Sequence, residues 1–241
     1  MSTDYTQAAF TFKVKKAIRY LRLYGVSRTL VKIRAQNHMK AAAVFDGPRW
    51  ENPRCRDAEA PSRSVAIIGC GNYSFSTIAY YLARRDPLFL RSAYDTMRSR
   101  ALSLCQAYNG RYAVADWKHI VDDPQVKLVY IASNHASHAE YAVACIEARK
   151  HVHIEKPNAV THEQLDRLLA AMRQHRDAKV FLGFNRPRGR LFRELQTVLA
   201  RQSGCMVKCS QVYEVRDGKK VPMRCDPDAI KKSKPKKKSE K

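Results

Sequence analysis

Residues 65–82 read VAIIGCGNYSFSTIAYYL. Val65, Ala66, Ile67 and Ile68 form a short apolar run rich in branched side chains, the composition of a strand buried on both faces. Two glycines follow, and then Ile78, Tyr81 and Leu82 recur at helical spacing. A strand, a glycine turn and a helix in that order give the pattern Gly69-x-Gly71-x-x-Ser74 a meaning that the bare spacing lacks. Gly69 permits a tight turn, and Gly71 has no side chain to hold the backbone away from a pyrophosphate. Ser74 is small enough for helix and strand to pack closely, although it is bulkier than the usual third glycine. The helix opens through Asn72 and Tyr73, so free N–H groups and the positive end of the helix dipole face an anion there. The expectation is a dinucleotide-binding turn.

The rest of the chain supplies the sheet that such a turn needs. "LFLRSAYD", "YAVA", "KLVYIAS", "HVHIE" and "KVFLGF" read as strands. Between them "RSRALSLCQAYNG", "DWKHIVDD", "HAEYAVACIEARK" and "THEQLDRLLAAMRQH" read as helices, with "RLFRELQTVLARQ" after the last strand. In the fourth of these, Thr161 stands at the N-cap and Gln164 at the capping-box position. Strands alternating with helices predict an α/β fold, a doubly wound and mainly parallel Rossmann sheet over residues 64–203. Asp95 ends the second strand, where a carboxylate accepts from the adenine-ribose hydroxyls and favours NAD over NADP. It also suits the cap of the helix that follows. Arg98 and Arg100 lie close by and offer a place for a 2′-phosphate, which keeps NADP open.

Together, "VAIIGCGNYSF", "AYDTMRSRA", "KLVYIASNHASHAEYAVACIEARKHVHIEKPNAVT" and "VFLGFNRP" resemble the Gfo/Idh/MocA oxidoreductases over about residues 64–200. These are NAD(P)-dependent enzymes that act mostly on sugars, polyols and related rings. The resemblance implies that Lys156, in Glu155-Lys156-Pro157, lies beside the nicotinamide and the substrate and helps deprotonate the reacting hydroxyl. Glu155 and Pro157 would shape that turn, with Glu155 near the nicotinamide-side ribose. Gly69, Gly71, Asn72, Tyr73, Ser74 and Asp95 are the expected contacts on the other half of the cofactor. Ser133 and His138 fit a cofactor-lining run in which Asn134 replaces the usual Pro and His135 the usual Asn, and Ser133, Asn134 and His138 are expected at the cofactor. Asn185 and Arg186 match residues at the mouth of the site. His135 and His138 are three apart, but no third ligand accompanies them, and no metal site is expected.

Outside this domain the reading is compositional. Residues 1–44 read as a basic helical extension, with Val14, Ala17, Ile18 and Leu21 at helical spacing, a stop at Gly25, and a second helix from Ser27 to about Arg34. It suits docking on the body of the domain, on a partner subunit, or on a phosphate-bearing or membrane surface. Residues 45–63 carry three prolines and no periodicity and read as a linker. Residues 204–216 read as the first strand of a second, sheet-rich domain, and 217–241 as a disordered Lys-rich tail. That leaves the family's substrate-binding half largely missing. The expected function is therefore the NAD(P)-binding part of an oxidoreductase, truncated and weak or inactive alone. A small-molecule substrate would bind only if a second domain is supplied, and a homo-oligomer is compatible. The alternative is a stand-alone regulatory module whose basic ends meet nucleic acid or anionic lipid. The net charge of +23 invites that view, but no reader motif supports sequence-specific binding. Seven scattered cysteines without a CxxC pair, and no secretion signal, fit reduced thiols and a cytoplasmic location.

Overall fold

The computed structural model describes residues 10–184, 213–216 and 219–222. The chain divides into a unit of residues 1–184 and a second of residues 185–241. The first unit is built on a seven-stranded sheet in the order β1-β4-β3-β2-β5-β6-β7. Its strands are β1 (Arg49–Glu51), β2 (Val65–Ile68), β3 (Leu90–Tyr94), β4 (Tyr112–Val114), β5 (Leu128–Ile131), β6 (His151–Ile154) and β7 (Val180–Leu182). All pairings from β2 to β7 are parallel. The order runs outward in two directions from the β2/β5 pair, so crossover helices cover both faces.

Side-chain alternation along the strands separates two cores. Ala66 and Ile68 point to one face with Val129, Ile131, Val152 and Ile154. There they meet α4 (Lys118–Asp122), α5 (His138–Glu147) and α6 (His162–Gln174) through Ile120, Ile146 and Leu168. Ile67 points to the other face with Leu90 and Ala93. It meets Phe75 and Ile78 of a π-helical segment (Ser74–Ala79), which runs into α2 (Tyr80–Arg85), and Leu102 and Leu104 of α3 (Arg98–Ala107). Burying each such branched side chain contributes roughly 1.5–3 kcal/mol. The expected cap of α6 is present, with Thr161 Oγ1 accepting from Gln164 N at 3.2 Å. Gln164 differs from a standard capping box. Its Oε1 accepts from Val160 N at 2.9 Å, one residue before the cap, and its Nε2 donates to Ala136 O at 2.8 Å.

Three expectations need correction. Residues 45–63 are not a free linker, because β1 pairs antiparallel with β4 at the sheet edge. A three-residue edge strand is too short to show periodicity, and charges and prolines are what edges tolerate. Arg63 then fastens the segment. It is 1% exposed and donates to the carbonyls of Asp57, Leu90 and Asn109, at 2.9, 2.9 and 2.6 Å, and to that of Arg56. Arg63→Met keeps the volume but strands these carbonyls, so urea unfolding should show a loss of about 2 kcal/mol. An unchanged midpoint would mean that the segment contributes nothing to the fold.

The second correction concerns the extension. α1 (Phe10–Met39) breaks at Gly25, as expected, with φ 79 and ψ 173, but the helix beyond it continues past Arg34. Its inner side buries Val31, Ala35 and His38 against the π-helical segment and α3. The third concerns the tail, since β8 (Tyr213–Arg216) pairs antiparallel with β9 (Lys219–Pro222), which lies within the stretch expected to be disordered. The remaining tail residues, the helix expected at 190–202, and most of the remnant strand lie outside the described residues. No helix of the described residues is long and apolar enough to cross a membrane.

Candidate functional site

The loops leaving β2, β3 and β5 meet at their carboxyl ends, at the point where the strand order reverses. They enclose a cavity of about 270 Å³ lined by Gly69, Gly71, Asp95, Arg100, Ser133, Asn134 and Tyr141, among others. A larger open groove of about 950 Å³, lined by Trp50, Asn52, Arg54 and Asn109 among others, lies at the opposite, amino-terminal edge of the strands. It has none of the motif residues.

Each wall of the smaller cavity has a local cause. Gly69 has φ 89, and a Cβ on it would lie 2.4 Å from Ser133 N and 2.5 Å from the carbonyl carbon of Ala132. The turn after β2 therefore packs backbone to backbone against the exit of β5, which only glycine allows. A Cβ on Gly71 would meet nothing within 4 Å, so this residue faces open space. Ser74 is buried, and its Oγ donates to Gly69 O at 2.5 Å. It closes the turn from beneath and does not line the cavity.

Asp95 is also buried, and its carboxylate braces the same turn. Oδ2 accepts from Cys70 N at 2.7 Å and Oδ1 from Met97 N at 2.8 Å. The expected cap role is displaced, since α3 starts at Arg98 and its cap residue is Met97. Asp95 instead forms an Asx-type turn before the helix. Each carboxylate oxygen keeps further accepting capacity toward the cavity. The two nearby arginines differ. Arg98 lies over the Phe45 ring at 5.6 Å and donates to Phe45 O at 3.3 Å. Arg100 lines the cavity, and its buried Nε has no partner among the described residues.

After β5, Asn134 Oδ1 accepts from Ser137 N at 3.1 Å, and the hydroxyls of Ser133 and Ser137 lie 2.8 Å apart. Both Ser133 and Asn134 line the cavity. His138 does not, because it is 1% exposed. Its Nδ1 is 2.7 Å from Pro157 O and its Nε2 3.1 Å from Ser133 O, so it joins the loop after β5 to the turn after β6. On that turn Glu155 N donates to Ile131 O at 2.9 Å, and the Glu155 carboxylate rests against Gly183, where a Cβ would lie 2.9 Å away. The Tyr73 hydroxyl lies beside it, its pKa raised by burial first and by this carboxylate second. Lys156 is exposed at the sheet's carboxyl edge and precedes a cis bond to Pro157. Asn185 and Arg186 lie outside the described residues.

Sequence reasoning missed Tyr94 and Tyr141. They sit in edge-to-face contact at 6.3 Å, and burial, with Tyr94, pushes the Tyr141 hydroxyl up to about 12. Tyr141 sits among the apolar positions of α5, and nothing local marks it as cavity-facing. Among the described residues no group of three His, Cys, Asp or Glu side chains could hold a metal ion. Cys55, Cys70, Cys105 and Cys145 are free thiols.

Residues 63–184, about half of the chain, match the family described as "Oxidoreductase family, NAD-binding Rossmann fold". The chain belongs to the Gfo/Idh/MocA family. It is 30% identical over 133 residues to myo-inositol 2-dehydrogenase of Thermotoga maritima, covering 55% of this chain and 39% of that protein. It is 34% identical over 134 residues to inositol 2-dehydrogenase of Acidothermus cellulolyticus, covering 53% of this chain and 38% of that one. Among solved structures, levoglucosan dehydrogenase in complex with NADH and L-sorbose superposes with a TM-score of 0.50 at 26% identity, over 57% of this chain and 38% of that one. The chain thus spans about two fifths of the length of these relatives, and what it shares with them is the NAD(P)-binding Rossmann domain.

Proposed function

We propose that this domain holds NAD(H) across the β2/β5 crevice and presents Lys156 to a sugar- or polyol-type hydroxyl undergoing oxidation. The observation that carries the reading is the Gly69 turn, where a Cβ would strike the backbone of the β5 exit, beside an open Gly71. That is the cradle a pyrophosphate requires. The N–H groups at the start of the helix meet the phosphates, and the Asp95 carboxylate accepts from the adenosine ribose. Ser133 and Asn134 line the path toward the nicotinamide, near Glu155. The bound nicotinamide supplies the hydride acceptor. The Lys156 ammonium hydrogen-bonds the reacting oxygen and eases removal of its proton. Hydride transfer also needs the substrate carbon held in near-attack geometry. Lys156 is exposed, so its substrate side is open among the described residues. Contacts of the Lys-rich tail with nucleic acid or anionic lipid rest on charge alone and form no part of the proposal.

Asp95 favours NAD(H), because its carboxylate would oppose a 2′-phosphate, whereas Arg100 is the cavity-lining arginine that would attract one. In fluorescence titrations NADH should bind about tenfold more tightly than NADPH, a difference of 1.4 kcal/mol. Arg100→Met should weaken NADPH further and leave NADH within about twofold. Tighter binding of NADPH would overturn the NAD preference, and saturation by neither cofactor would sink the reading.

A further inference from the structure

Residues 26–39 of α1 lie outside the part of the chain that matches the family, yet they grip the dinucleotide turn. The contact centres on His38, which is 3% exposed and stacked on Phe75 at 4.3 Å. Its Nε2 is 2.6 Å from Cys70 O and its Nδ1 is 3.0 Å from Ser103 Oγ. A carbonyl oxygen only accepts, so Nε2–H donates to Cys70 while Nδ1 accepts from the Ser103 hydroxyl. One neutral tautomer satisfies both bonds. Burial, the largest influence, lowers the pKa of His38 and agrees with a neutral ring.

Cys70 O and Gly71 N–H belong to one planar trans peptide and point in opposite directions. Whatever fixes the carbonyl therefore aims the N–H. The preceding peptide is held as well, because Cys70 N donates to Asp95 Oδ2 and Gly69 O accepts from Ser74 Oγ. Gly71 N–H has no acceptor among the described residues, and Gly71 lines the cavity. Donation to a carbonyl also polarises its peptide and strengthens the N–H at the other end. The same helix holds the next turn. Lys32 Nζ donates to Ser76 Oγ at 2.8 Å, Arg28 donates to Ser76 O, and the hydroxyls of Ser27 and Tyr80 lie 2.7 Å apart.

We propose that the α1 extension is a built-in positioning element for the cofactor turn, with His38 as the residue that orients the Gly71 N–H toward the pyrophosphate. The inference rests on the dinucleotide reading above. His38 does not touch the cofactor and acts through the Cys70–Gly71 peptide.

The test compares three variants of the full chain by NADH fluorescence titration, with thermal melts alongside. His38→Leu fills similar space without a donor and should weaken NADH about tenfold. His38→Gln places an amide N–H where Nε2 stands and should restore affinity to within about threefold of wild type. His38→Asn is as polar as Gln but too short to reach Cys70, and should behave like His38→Leu. If His38→Leu does not fold, the Asn and Gln pair decides alone. Equal NADH affinity in the Asn and Gln variants, or wild-type affinity in His38→Leu, overturns the proposal while leaving NADH binding intact. Failure of the wild-type chain to bind NADH at all overturns the dinucleotide reading and this inference with it.

Discussion

Gly69→Ala should lower the unfolding free energy by about 4 kcal/mol and abolish NADH binding. Two costs add. With φ at 89 the residue sits where a side chain is strained, which costs about 1–3 kcal/mol. The new methyl would also lie 2.4–2.6 Å from Ser133 N and the carbonyl atoms of Ala132. These are backbone atoms of the β5 exit and cannot swing aside. The β2 and β5 loops must part, an overpacking cost of about 1–3 kcal/mol. The same displacement opens the cavity wall, so binding is lost with stability. Urea unfolding followed by circular dichroism, beside an NADH titration, checks both. A wild-type midpoint would show that the two loops do not meet as described.

Gly71→Asp should lose binding without the loss of stability: it should leave the fold within about 0.5 kcal/mol of wild type and weaken NADH at least about 100-fold. A Cβ there meets nothing within 4 Å, and Gly71 is not among the positive-φ glycines. The carboxylate enters the cavity where a pyrophosphate would lie. Two like charges about 4 Å apart repel by about 1 kcal/mol in water and about 4 kcal/mol near a protein surface, and the side chain also takes the phosphate's space. A variant that melts like wild type but no longer binds NADH places the phosphates at this turn. Unchanged NADH affinity would remove them from it. Together the two variants separate the glycine needed by both fold and ligand from the glycine needed by the ligand alone.

The motif residues were legible because each is announced by its neighbours. Gly69 and Gly71 sit between a strand and a helix, Asp95 at a strand end, and Lys156 where an apolar run stops. What remained hidden depends on partners far along the chain. Asp95 is readable as a strand-end carboxylate, but its bond to Cys70 N is not. Arg98 and Arg100 look alike in sequence, and Phe45 separates them by taking Arg98. His138 was readable as part of a cofactor-lining run, while its bridge to Pro157 spans two loops and keeps it from the cavity. The edge strand β1 was invisible because its order comes from β4, not from its own pattern.

From the chain alone one reads the alternation of strands and helices, the doubly wound and mainly parallel sheet it predicts, and the kind of ligand a glycine turn after the first strand accepts. These follow from periodicity, turn chemistry and helix dipoles, all of which act within a few residues. The tertiary structure alone decides which glycine is packed and which is open, which arginine faces the cavity, and that a helix ending at Met39 bonds the carbonyl of Cys70. Those outcomes rest on contacts between residues tens of positions apart, 32 in the case of His38 and Cys70. No local pattern encodes such a pairing. It exists only once the sheet has brought the loops together and the packed faces have chosen which side chains they bury.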